Sequence, residues 1–237
     1  MKQFVLCCRA ACATLPALVL FSGCATKTMS KPTSEIITPK TPSAAQVESI
    51  AGPRELNLFN GKDLGGWRAT GFGGGGEIVV RDSEIRIGMG AELSGIHWTN
   101  AAVLPKANYE IELDAMKLDG NDFFCGLTFP VNNSFCTLVL GGWGGSVVGI
   151  SSLDGGDASE NDTSTSLYFL KNRWYHIRAQ VTPEKIIVWV DADKVIDVKI
   201  AGRKISMRAG EIENSIPLGI ATWQTTSALK NLKLKRL

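Results

Sequence analysis

Apolar and polar residues alternate with period two along much of the chain after residue 77, the spacing of strands with one buried and one solvated face. Tyr109, Ile111, Leu113 and Ala115 alternate with Glu110, Glu112 and Asp114. Tyr175, Ile177, Ala179 and Val181 alternate with His176, Arg178 and Gln180. Ile186, Val188 and Val190 lead into Asp191-Ala192-Asp193, a turn, and then into an apolar-alternating run over 195–200. Residues 77–81 and 84–87 flank Asp82-Ser83, a tight hairpin. Residues 123–129 and 135–140 flank the loop 130–134, and Leu232-Lys233-Leu234-Lys235 closes the chain as one more strand, apolar on one face. No segment carries a convincing long helical period. About a dozen short strands at this spacing predict an all-β fold, an antiparallel β-sandwich or jelly roll.

The first 23 residues follow different rules. Lys2 opens a short basic region, an apolar stretch runs from Phe4 to Phe21 with Arg9 and Pro16 interrupting it, and Ser22-Gly23 precede Cys24. That stretch is too broken for a good spanning helix and ends in small residues, as an export signal does. Phe21-Ser22-Gly23-Cys24 resembles the bacterial lipobox. The resemblance makes 1–23 a lipoprotein signal peptide and Cys24 a lipidated N-terminus; cleavage as an ordinary secretory peptide is the alternative. Acyl chains on Cys24 would place an exported protein on the membrane of the cell envelope. Residues 24–53 then form a tether. Between 25 and 53, four prolines and nine serines or threonines occupy 29 positions without one aromatic residue, too little apolar surface to offset ordering entropy. Residues 54–237 remain as one domain.

Composition narrows the classes. The chain is 44% hydrophobic and 20% charged, too apolar for disorder and too aperiodic for collagen or a coiled coil. It has 25 basic and 23 acidic residues, and the two excess positive charges, Lys2 and Arg9, lie in the leader. The rest is formally neutral, with a basic run only at Lys230, Lys233, Lys235 and Arg236. This argues against a nucleic-acid partner, whose phosphates need neutralising. Three of the six cysteines belong to the leader and Cys24 follows it, leaving Cys125 and Cys136 in the domain. Export permits a disulfide. A five-residue loop over 130–134 pairing Phe129 with Phe135 would set Cys125 opposite Val139 and send the thiols to opposite faces, so two buried free thiols are expected.

Leu58-Phe59-Asn60-Gly61-Lys62-Asp63-Leu64-Gly65-Gly66-Trp67 closely resembles the opening motif of the 3-keto-disaccharide hydrolase domain family, whose fold is the concanavalin A-like lectin/glucanase sandwich. Asn172-Arg173-Trp174-Tyr175-His176-Ile177 and Leu229-Lys230-Asn231-Leu232-Lys233-Leu234 are similar to the family's Trp/Tyr strand and its last strand. The resemblance spans residues 55–237 and implies cleavage of glycosides whose sugar is oxidised to a ketone at C3. The chain also departs from the family. Phe135-Cys136-Thr137-Leu138-Val139-Leu140-Gly141-Gly142 stands where the family carries an acid and an amide, and Gly219-Ile220-Ala221-Thr222-Trp223-Gln224 replaces a stretch that carries Gln and His.

A ketone at C3 acidifies the proton on C2, so cleavage by elimination needs a base near C2 and a cation or acid for the enolate. The densest source is the loop Asp154-Gly155-Gly156-Asp157-Ala158-Ser159-Glu160-Asn161-Asp162. Glu160 and Asp157 are the candidate catalytic carboxylates, with Glu160 preferred for its reach; Asp154 is a candidate ligand contact. The same oxygens could take a divalent cation, though their spacing lacks EF-hand order. A solvated polar hairpin is the plain alternative. Trp143, flanked by glycines, suits a sugar platform, as does Trp223; each could equally be a core residue. Asn121-Asp122, before the strand that opens at Phe123, could bond sugar hydroxyls or simply form a turn. His97 and His176 lack the spacing of a zinc site. Glu112-Leu113-Asp114 followed by Ala115, Met116 and Lys117 lacks the last acid of the glucanase Glu-x-Asp-x-x-Glu pattern, so it reads as a solvated strand flank. Gly73 to Gly76 fails as a phosphate loop because no Lys-Ser/Thr follows.

Three functions stay open: an enzyme cleaving 3-keto-glycosides, a carbohydrate-binding module that keeps the groove without the acid, and a structural lipoprotein that binds protein. The partner expected in the first two is an oligosaccharide or glycoside. Fold alone does not choose among them.

Overall fold

The computed structural model describes residues 53–237. The leader, Cys24 and the tether up to residue 52 lie outside the described residues. The alternating segments become strands that pair antiparallel into two sheets. Sheet I runs β13 (Asp193–Lys199), β12 (Lys185–Val190), β11 (Trp174–Val181), β6 (Tyr109–Gly120), β15 (Thr225–Arg236), β4 (Glu84–Ile87) and β3 (Ile78–Arg81), with β1 (Glu55–Asn57) also on β15. Sheet II runs β10 (Thr165–Ser166), β9 (Val147–Ser151), β8 (Ser134–Gly141), β7 (Cys125–Val131), β14 (Gly219–Trp223), β5 (Leu93–Trp98) and β2 (Trp67–Ala69). This is the all-β sandwich that the period-two pattern predicts. Among the described residues no helix is long and apolar enough to cross a membrane.

The core lies between the sheets, where each strand's apolar set points. Ala115, Leu113 and Ile111 of β6 meet Tyr175, Ile177 and Ala179 of β11 in register, and all are buried. Leu127 and Phe129 of β7 and Leu138 and Leu140 of β8 fill the other side. Each such large side chain contributes about 1.5–3 kcal/mol by leaving water. Asp82 and Ser83, with φ of 55° and 58°, form the two-residue turn between β3 and β4. On β15 the register slips between Lys230 and Lys233, where Asn231 sits at φ 55°. That bulge keeps both Leu229 and Leu232 inward although they are three residues apart.

The opening motif is a structural clasp. Asn60 Oδ1 accepts from the amides of Lys62 (2.8 Å) and Asp63 (3.1 Å), and Asp63 Oδ1 accepts from Gly65 N (2.9 Å). The turn delivers Trp67 into the core, where its Nε1 donates to Leu58 O at 2.8 Å. Gly66 is required: a Cβ there would stand 2.5 Å from the Trp98 ring.

Cys125 and Cys136 are buried free thiols, but for a different reason than the expected register. The β7–β8 connection is a two-residue turn, with Val131 opposite Ser134, so Cys125 faces Leu140 and Cys136 faces Phe129. Both thiols therefore lie on the core face, separated by four residues along the strand, about 13 Å. Distance keeps them apart. Burial pushes the Cys125 thiol up to about 12 and raises Cys136 as well.

Candidate functional site

A groove of about 370 Å³ lies on the outer face of sheet II. Thr137 and Val139 of β8 and Ser151 of β9 line its base, because the core takes Cys136, Leu138 and Ile150 from the same strands. One wall comes from the connection between β13 and β14, which crosses this face. Its backbone exchanges hydrogen bonds between Ser206 and Ser152, Ser134 Oγ donates to Ile205 O at 2.8 Å, and Met207 covers Thr137. Residues 208–212 of the connection then border the groove. The turn Glu211–Ser215 packs hard on β14: a Cβ on Gly219 would meet Ser215 O at 2.6 Å.

Phe123, Trp143, Trp223 and Leu93 also line the groove, and Ile212 of the connection packs in one apolar cluster with Phe123, Trp223 and Leu93. Trp143 stands in the turn Gly142–Gly145 with φ 50° and ψ 56°, a left-handed conformation uncommon for a bulky residue. The turn is pinned by Asp122, whose Oδ2 accepts from Gly144 N at 3.2 Å while Oδ1 accepts from Phe123 N at 2.7 Å. The indole is 44% exposed, so the arrangement presents an aromatic face rather than burying it.

The loop 154–162 is ordered by Asn161, whose Nδ2 donates to Ile150 O at 2.7 Å and whose Oδ1 accepts from Thr163 N at 2.9 Å. It lies directly on β9 because residue 149 is glycine; a Cβ there would come within 2.4 Å of Ala158 O. The result separates the four carboxylates. Asp157 lines the groove and is largely covered, its side chain only 15% exposed. It accepts from Ser151 Oγ, from Arg208 Nη1 and from Ala158 N at 2.8 Å. Glu160 is exposed and turns back to accept from Asp157 N at 3.2 Å, capping its own turn; it is not among the groove-lining residues. Asp154 and Asp162 are drawn to Arg203 at 2.7 Å each. The Lys204 amide and the Arg203 guanidinium hold Asp154 below the usual carboxylate range, and Arg203 does the same to Asp162.

Of the residues singled out in the sequence, Asp157, Trp143 and Trp223 thus share the groove. Of the Asn121-Asp122 pair Asp122 lines it as well, whereas the exposed Asn121, Glu160 and Asp154 do not. Among the described residues no group of three or more His, Cys, Asp or Glu side chains converges as a metal site. The Arg203 clamp is why the loop offers no oxygen cage. Arg208, Glu92 and Glu211 also line the groove and were not singled out. The one available signal was the length of the connection over 200–218, since long connections in compact domains tend to be functional.

A family model described as the 3-keto-alpha-glucoside-1,2-lyase-like domain matches residues 55–235. A comparison with curated protein sequences finds no match. The apo Crh5 transglycosylase shares the fold, with a TM-score of 0.51 at 9% identity over 77% of this chain and 83% of that one. The carbohydrate-binding module CBM66 from Bacillus subtilis aligns with a TM-score of 0.46 at 15% identity, covering 72% and 95% of the two chains. Domain 4 of AbnA, an extracellular arabinanase from Geobacillus stearothermophilus solved with arabinotriose, aligns at 0.44 and 12% identity over 72% and 82%.

Proposed function

The chain belongs to the 3-keto-alpha-glucoside-1,2-lyase-like domain family, and on that premise we propose that it cleaves a 3-keto-glycoside held in the groove of sheet II, with Asp157 as the proton-transfer group. One observation carries the reading: a largely covered carboxylate, fixed by Ser151 and Arg208, borders a groove walled by two tryptophans. Asp157 takes the proton from C2, the C2–H electron pair forms a C1=C2 double bond, and the C1–O bond to the leaving group breaks. The proton passes from Asp157 to the departing oxygen. Arg208 has guanidinium N–H groups beyond the one given to Asp157, and these stabilise the negative charge that develops on the C3 oxygen. Addition of water to the unsaturated product would complete hydrolysis. The indoles of Trp143 and Trp223 pack against the C–H faces of the sugar.

The expected result is that Asp157→Asn lowers cleavage of a 3-keto-disaccharide by at least about a hundredfold, the usual scale of a lost acid–base group. A thermal melt checks that the variant is folded, since Asp157 also receives Ser151 and Arg208. Full activity in a folded Asp157→Asn variant overturns the assignment. A second reading, a binding module without catalysis, is favoured by the outward positions of β8: Thr137 and Val139 lie at the base of the groove, and neither can transfer a proton at neutral pH. Sugar binding by calorimetry with no turnover by the wild-type protein would decide for it. We also propose that Cys24 carries the lipid anchor, supported by the Phe21-Ser22-Gly23-Cys24 motif; fatty-acid labelling that survives Cys24→Ala would refute it.

A further inference from the structure

Residues 54–237 carry 20 basic and 21 acidic side chains, close to balance, yet the groove is not balanced. Glu92, Asp122, Asp157 and Glu211 line it against a single cation, Arg208. Arg208 is spent in part on Asp157. Asp122 and Glu211 are met by backbone amides, of Phe123 and Gly144 in the first case and of Gly73 in the second, at 3.3 Å for its closer oxygen. Those contacts orient the carboxylates without cancelling their charge. Glu92 is exposed at the rim, at the start of β5. Several of the domain's other cations are engaged elsewhere, while Lys117 Nζ, 3.7 Å from where a Cβ on Gly145 would stand, lies beside the Trp143 turn without lining the groove. Arg203 is held by Asp154 and Asp162, and Arg178, Lys185, Lys233 and Lys235 form ion pairs on the outer face of sheet I.

Resting on the carbohydrate reading above, we propose that this groove selects its sugar by charge: it prefers glycans bearing a protonated amine to uncharged ones, and rejects uronates. An ammonium group gains charge-assisted hydrogen bonds from Asp122 and Glu211, which otherwise have only neutral amide donors. The apolar walls of Trp143, Trp223, Phe123 and Ile212 lower the local dielectric and focus the negative field into the cleft. A uronate meets the same field with the wrong sign, and Arg208, its charge already shared with Asp157, offsets only part of it. A hydroxyl is accepted at no Coulombic gain, so uncharged sugars fall between the two.

The test measures binding of the full chain by calorimetry to three probes: a glucosamine tetrasaccharide, its N-acetylated counterpart and tetragalacturonate. At about pH 6, where the free amine is largely protonated, and about 20 mM salt, the amino probe binds about tenfold tighter than the acetylated one. Raising salt to about 200 mM narrows the gap to about twofold. Glu92→Gln, a change at the exposed rim, reduces the low-salt preference several-fold while a thermal melt is unchanged. Tetragalacturonate gives no measurable binding. Equal affinity for the amino and acetylated probes, a salt-independent gap, or tight uronate binding overturns the charge selection and leaves the sugar groove standing. Failure of all three probes to bind overturns the carbohydrate reading and this inference with it.

Discussion

On the outer face of sheet I, Asp114 meets His176 at 2.8 Å and Asn231 at 2.7 Å, Arg178 meets Glu110 at 3.4 Å, and Lys235 meets Glu112 at 3.3 Å. Arg178 also covers the Trp189 ring at 4.0 Å. On the outer face of sheet II the strands instead present small or uncharged residues: Gly149 beside Val139, Val139 beside Gly126, and Gly126 beside Ala221. Apart from Arg68 on the edge strand β2, charges come to that face from loops. The two faces share one strand chemistry and differ in what their outward positions hold. Long charged side chains pair with cross-strand neighbours and finish a surface. Short ones leave room, and the chain returns across them with its own walls.

The sharpest way to break this contrast is Gly149→Ala. The added methyl would meet Ala158 O at 2.4 Å, so the loop carrying Asp157 must lift. A stability loss of about 1–3 kcal/mol and a collapse of groove binding are expected; denaturant unfolding and calorimetry read the two. Unchanged values would mean that the loop does not depend on that close approach. Next comes Trp143→Ala, which should weaken sugar binding about tenfold or more with little change in melting temperature, because the indole is 44% exposed. A large drop in melting temperature would make Trp143 a packing residue instead. On the other face, Arg178→Ala removes the partner of the nearly buried Glu110 and the cover of Trp189. It should cost about 1–2 kcal/mol of stability and leave sugar affinity unchanged. Altered binding would join the two faces functionally.

The smallest effect concerns Asp197, whose carboxyl is lowered to about 2 by hydrogen bonds from Lys185 and Lys194. A depressed carboxylate stabilises the fold above its unfolded pKa, near 3.8, and the contribution fades as pH falls toward 2. Asp197→Asn should therefore be less stable than the wild type above pH 4 and converge with it near pH 2. A gap that widens on acidification would reverse the sign of this linkage. The exposed setting keeps the difference small.

Much of the sandwich was written locally. The alternations at 109–115 and 175–181 mark which residues enter the core, because a pleated strand sends every second side chain to one face. Asp82-Ser83 marks a hairpin for the same short-range reason. The β7–β8 hairpin was less legible: Pro130 to Ser134 looks like a loop, yet Pro130 and Val131 are strand residues and Asn132 takes the turn at φ 55°.

The site divides along the same line. Sequence alone determined that loop 154–162 is acidic and that Trp143 lies among glycines, since composition is local. Which acid faces a ligand was decided by partners distant along the chain: Arg203 draws off Asp154 and Asp162, Arg208 and Ser151 hold Asp157, and Glu160 folds back on its own turn. Glu160 has the longer reach, but reach does not fix direction. Arg208 itself carries no local sign of its role, and it reaches Asp157 only because the β13–β14 connection crosses sheet II. The periodic pattern is a property of neighbouring residues, whereas the groove is formed by side chains some fifty residues apart, so tertiary packing alone could assemble it.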